Sequence, residues 1–175
     1  MTVAVVPAEL RNPPPPEARR WVEQAVGPRS RVVRVRRLRN AYSSAMHAVD
    51  VDVDVDGAGT RRRLVLRRWA RTDLPPDEGV VENEARALTV ASGSAVAVPH
   101  LVAADPTGEE CGVPAVLMTR LRGRDVLAPT DLDSYLDGLV TTLHTLHDIP
   151  LADGALAPYD PWCDIMLFLM LRRPP

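Results

Sequence analysis

The sequence predicts an α+β fold: a five-stranded antiparallel sheet with one helix packed on it, followed by the first helices of a helical region. Three observations lead there. The segments run helix, three strands, helix, two strands, helix. Val49–Gly57 reads VDVDVDVDG, an alternation whose period of two belongs to a strand. Gly57-Ala58-Gly59 then separates this strand from another apolar and basic run, which is a hairpin signal.

Taken in order, Pro13–Pro16 is a stiff extended lead-in. Glu17–Val26 carries Ala18, Trp21, Val22 and Ala25 at helical spacing, and Gly27-Pro28 stops it. Arg31–Arg39 interleaves valine and arginine as a first strand. Ala45–Asp56 is the second strand, Gly57-Ala58-Gly59 the turn, and Arg61–Ala70 the third. Val80–Ala91 follows as a helix with Val81, Ala85, Leu88 and Thr89 on one side. Val98–Ala104 and Pro114–Arg120 are apolar runs expected as buried strands, linked by a turn through Asp105–Gly112. Asp131–Asp148 is a helix whose stripe is Leu132, Tyr135, Leu136, Leu139, Val140, Leu143 and Leu146, ended by Pro150.

Composition narrows the function classes. With 175 residues, 46% hydrophobic and 25% charged, the chain suits one domain or two small lobes. A net charge of −2 supplies no field for nucleic acid or an anionic membrane. All 21 basic residues are arginine, so no lysine can serve catalysis. Cys111 and Cys163 stand apart without a C-x-x-C spacing, which suits a reduced, cytoplasmic setting. The amino terminus lacks a secretory pattern, and the longest apolar run, Ile165–Leu171, is far below the roughly 20 residues of a membrane span.

Asp52–Gly57 imitates the D-x-D-x-D-G opening of a calcium loop. The twelfth position of such a loop must give a bidentate carboxylate, and here it is Arg63, beside Arg61 and Arg62. Both flanks read as strands rather than helices. The expected arrangement is a half-buried strand with valines inward and aspartates toward solvent, partly neutralised by Arg62 and its neighbours. His144 and His147 lie three apart on one helix, yet no second Cys/His pair is near, so a core or interface role is expected.

Four stretches carry a resemblance: Arg39–Val49 (RNAYSSAMHAV), Leu64–Arg68 (LVLRR), Glu82–Leu88 (ENEARAL) and Val116–Gly123 (VLMTRLRG), with Leu139–His147 (LVTTLHTLH) after them. In this order the chain resembles the aminoglycoside phosphotransferase family, with its protein-kinase-like fold. The resemblance implies a nucleotide-binding amino-terminal lobe over residues 1–121. Residues 122–175 would be the hinge exit and the start of a helical lobe. It implies ATP as cofactor, a small-molecule hydroxyl as substrate, and Mg²⁺ held only with the rest of that lobe.

The resemblance also assigns roles. Ser43 and Ser44 fall in the loop over the nucleotide phosphates, where Asn40 and Ala41 replace the usual glycines. Arg67 takes the place of the strand lysine that contacts the α- and β-phosphates, and Glu84 that of its helix partner. Met118 would stand behind the adenine, with the Thr119 carbonyl and the Leu121 N–H offered to its edge. Read without the family, the same residues form a polar turn, a solvated cation, a surface glutamate and a buried strand. A pairing of Arg67 with Glu84 would favour the first reading of both.

The catalytic loop, H-G-D-x-x-x-x-N, is not in the sequence. Asparagine occurs only at 12, 40 and 83, ahead of the last helix, and His147-Asp148 runs into Ile149-Pro150. The expectation is an incomplete member of the family, inactive alone, with no catalytic or metal residues to assign. Without the bundle that would cover it, the Asp131–Asp148 stripe is expected to stay exposed, giving self-association or a non-catalytic binding or dimerisation module.

Overall fold

The computed structural model describes residues 8–38, 44–55, 57–69, 79–123, 126 and 128–151. The elements are α1 (Ala8–Arg11), α2 (Pro16–Val26), β1 (Ser30–Arg37), β2 (Ala45–Val55), β3 (Ala58–Arg68), α3 (Val80–Ala91), β4 (Leu101–Asp105), β5 (Ala115–Thr119) and α4 (Leu132–His147). The five strands form one antiparallel sheet in the order β1-β2-β3-β5-β4. The expected α+β fold is therefore present, in the arrangement of a kinase-like amino-terminal lobe.

Alternation sorts the side chains of this sheet onto two covered faces. Val49, Val51, Leu64, Leu66 and Leu117 join Ala18, Trp21 and Val22 of α2 in one core. Val65, Val116 and Met118 join Val81 of α3 and Trp69 in the other. Leu64, Val65 and Leu66 are consequently buried in succession, because β3 lies mid-sheet with a helix on either side. Each such side chain contributes about 1.5–3 kcal/mol relative to exposure. Pro16 begins α2, where its missing N–H costs nothing, and Gly27 ends it at φ 131°.

Several boundaries move from their expected places. β3 begins at Ala58, so Ala58 and Gly59 extend the ladder opposite Val55 and Asp54 rather than forming the turn. Gly57 alone takes the left-handed conformation, φ 83°, and its N–H is held by Asp54 Oδ1 at 2.9 Å. β4 starts at Leu101 instead of Val98, since Pro99 has no N–H to give a ladder. The four-residue α1 has no counterpart in the sequence reading. On α3, Thr89 is exposed and bonded back to Ala85, while Val81 is the residue that is buried.

The link between β4 and β5 is built around Asp105. Its carboxylate accepts N–H bonds from Gly108 (2.9 Å), Glu110 (3.0 Å) and Cys111 (2.7 Å). Gly108 sits at φ 77°, and a Cβ there would lie 2.5 Å from the Val113 carbonyl carbon. This loop delivers Cys111 into the α2 core.

Candidate functional site

Residues 46, 48, 50 and 52 of β2 share a face with 65 and 67 of β3 and 116 and 118 of β5, the side covered by α3. Arg67 projects from β3 toward that helix. Its Nη1 lies 2.7 Å from both oxygens of Glu84, and its Nε donates to Ser44 Oγ at 2.9 Å. Both ion-pair partners are about one-quarter exposed, 25% for Arg67 and 23% for Glu84. The guanidinium carbon lies 4.5 Å from the centre of the Trp69 ring, a cation–π contact with the residue just beyond the end of β3.

The expected pairing of Arg67 with Glu84 is thus present. Ser44 belongs to the same cluster, but it is buried and its oxygen faces the guanidinium. Ser43, with Arg39, Asn40, Ala41 and Tyr42, lies outside the described residues. Trp69 was not legible as part of the site; its position two residues after Arg67 on the expected strand was the available signal.

One strand in from the β4 edge of the sheet, Met118 is buried between Val65 and Leu101 by its ladder positions. Thr119 is fastened to His100 twice: its N–H donates to the His100 carbonyl at 2.9 Å, and its hydroxyl accepts the His100 N–H at 2.8 Å. Arg120 donates its N–H to Arg63, after which Leu121 is exposed and leaves the sheet. The Arg120 guanidinium reaches Asp50 on β2, with Nη2 3.1 Å from Oδ1. That oxygen has no aligned hydrogen bond, so the contact is one of charge.

The acidic face of β2 therefore differs from expectation. Asp50 does not face solvent, its side chain being 14% exposed beneath Arg120. Asp52 meets its ladder partner Arg61 in a forked pair at 2.7 and 3.0 Å, while Arg62 falls on the opposite face beside Val51. Arg61 holds the Asp52 carboxyl below its usual range through that bond. Among the described residues no group of three or more His, Cys, Asp or Glu is placed to hold a metal ion.

Two further groups have perturbed chemistry. His47 lies buried on the α2 side with neither ring nitrogen in a well-aligned hydrogen bond, although the Asn12 backbone is near enough to favour the protonated ring a little. Burial first, then the charge of Arg68, lowers its pKa to about 4. The Cys111 thiol is pushed up to about 12 by burial, which makes it a packing group rather than a nucleophile. Cys163 lies outside the described residues. His144 and His147 are exposed on α4, so of the core or interface role expected for them the core position is not taken.

Depressions in the surface lie elsewhere. One of about 510 Å³ is at the outer end of the hairpin, where Arg29, Arg31 and Gly59 surround the Asp52–Arg61 pair. Another of about 380 Å³ lies between Val90 of α3 and Leu146, Ile149 and Leu151. Neither reaches Arg67. The described helices include none long and apolar enough to cross a membrane.

Comparison with curated proteins returns no match. The model of the phosphotransferase enzyme family matches residues 50–173, a span that takes in Arg67, Glu84, Met118 and α4. That span covers well over half of the sequence and begins on β2, so the chain belongs to the phosphotransferase enzyme family.

Proposed function

We propose that this chain provides the nucleotide-binding part of an ATP-dependent phosphotransferase acting on a small-molecule hydroxyl. The observation that carries the reading is the Arg67–Glu84 pair joining β3 to α3 on the Met118 face of the sheet. A fixed cation there suits phosphate oxygens, and Glu84 sets its direction. Ser43 and Ser44 would lie near the phosphates. Beyond Met118, the Thr119 carbonyl and the Leu121 N–H would meet the adenine edge. Residues 1–121 form the nucleotide lobe on this reading, and 122–175 lead into a helical lobe.

The residues described suit the anionic end of ATP. No asparagine follows Asn83 in these residues to serve as a Mg²⁺ ligand. Turnover by these 175 residues alone is not expected. Calorimetric titration with ATP, with GTP as competitor, should show binding that Arg67→Ala abolishes. Incubation with ATP, Mg²⁺ and a panel of aminoglycosides should release no ADP, and measurable product would overturn the inactive reading. A buried, unpaired thiol at Cys111 suits the reduced cytoplasm.

A second reading rests on α4. Leu132, Leu136, Leu139, Leu143 and Leu146 follow alternating steps of four and three, the spacing of a helix-pairing seam. The first four are 44–57% exposed. On this reading the helix joins a second copy, making the chain a dimerisation module. Light scattering on a size-exclusion column would then give twice the chain mass, and a clean monomer would discard the idea.

A further inference from the structure

We propose that Ser44 is a positioning residue for Arg67, and that Arg67 Nη2 is the donor presented to a nucleotide phosphate oxygen. The inference rests on the nucleotide reading of the site and assigns work within it.

An arginine that replaces a lysine brings three nitrogens in one rigid plane instead of a single ammonium. Here two of the three are engaged, Nε with Ser44 Oγ at 2.9 Å and Nη1 with Glu84 at 2.7 Å. Anchoring two corners of a planar group fixes the plane and hence the direction of the third corner. Trp69, 4.5 Å from the guanidinium carbon, restrains it further. Nη2 has no partner among the described residues. The chain thus settles a long, rotamer-rich side chain before any ligand arrives, which removes an ordering cost from binding.

Ser44 fits this role better than that of a direct phosphate contact. It is 3% exposed, so its hydroxyl is not presented to solvent, and its oxygen is already oriented by Nε–H. A lysine at 67 has one nitrogen and no rigid plane, so Ser44 and Glu84 cannot fix the direction of a further donor as they do for an arginine. This couples the two residues in a way that can be measured.

The test uses the full 175-residue chain with Ser44→Ala, Ser44→Thr, Arg67→Lys and the double variant. Nitrogen-15 NMR of the arginine side chains reads the Arg67 Nε–H directly, shifted by the Trp69 ring. Its exchange with water should quicken at least tenfold in S44A and stay near wild type in S44T, which keeps the hydroxyl. Affinity for N-methylanthraniloyl-ATP should fall about fivefold to tenfold in S44A. The same serine change should leave an R67K background nearly unmoved.

An equal loss in both backgrounds would make Ser44 a direct phosphate ligand and overturn the positioning role. Unchanged Nε–H exchange in S44A would sink the clamp itself. Wild-type protein that binds no analogue would refute the nucleotide reading and the phosphate half of the proposal, while the NMR result still decides the clamp. Should S44A fail to fold, Ser44→Cys removes the oxygen at nearly constant volume and serves the same comparison.

Discussion

Arg67 of β3 and Glu84 of α3 meet through a single nitrogen, Nη1, which lies 2.7 Å from both carboxylate oxygens. The pair ties that helix to the centre of the sheet. Glu84→Gln removes the charge but keeps the shape. It should cost about 1–2 kcal/mol, the range of a partly buried charge-assisted bond. Urea denaturation would measure that loss, and ATP titration should show weaker binding in the same variant. Full stability with weaker binding would separate a site role from a structural one.

His47 makes the fold sensitive to acid. In the unfolded chain it takes up a proton near pH 6.5, whereas in the fold it resists until about pH 4. Between those values the unfolded state holds more protons, so stability falls as pH drops from about 6.5 toward 4 and then levels. The full loss is roughly 3 kcal/mol from a shift of this size. His47→Leu should flatten the profile over that window in denaturation curves taken at several pH values. A wild-type profile that is already flat there would contradict the burial argument.

Gly108 is expected to tolerate no side chain. A methyl group would meet the Val113 backbone at 2.5 Å, and the residue already has a positive φ. Gly108→Ala should therefore cost several kcal/mol, about 3 or more, by combining overpacking with strain. The shift in thermal midpoint reads it. Gly57→Ala, with open space around its added Cβ, provides the contrast of strain alone and should cost less.

Cys111 should be inert while the chain is folded. Its thiol is both buried and held far from ionisation at neutral pH. Alkylation by iodoacetamide at pH 8 should be at least about a hundredfold slower than in urea, because the thiolate is the reacting species. Peptide mapping by mass spectrometry distinguishes this site from Cys163.

Asp131 starts α4 by accepting the Ser134 N–H at 3.0 Å and the Ser134 hydroxyl at 2.8 Å. Asp131→Ala should loosen the first turn of α4 by leaving the Ser134 N–H without its cap. Amide hydrogen exchange over the first turn of α4 should quicken, with the sheet unaffected.

Much of this architecture was legible because the signals were local. The ends of α3 and α4 follow from propensity, spacing and Pro150, and the inward face of β2 from its period of two. The start of β3 was not, since Gly57-Ala58-Gly59 looks like a turn until the ladder shows that one glycine suffices. The Arg67–Glu84 pair was reached by family resemblance, not by pattern. Ser44 and Asp50 were out of reach for a different reason. Their partners, Arg67 and Arg120, are set by strand register and strand order, which no local window contains.

The repeat in β2 has one more property. A strand reading VDVDVDV looks the same after a slide of two residues, and the valines still point inward. The repeat thus has a translational degeneracy that its own hydrophobic pattern cannot lift. Only what lies outside it can choose: the single glycine at the turn, and the Ser44, His47 and Arg67 end of the hairpin. The residues that hold the guanidinium in place also set the zero of the scale along which this hairpin is read.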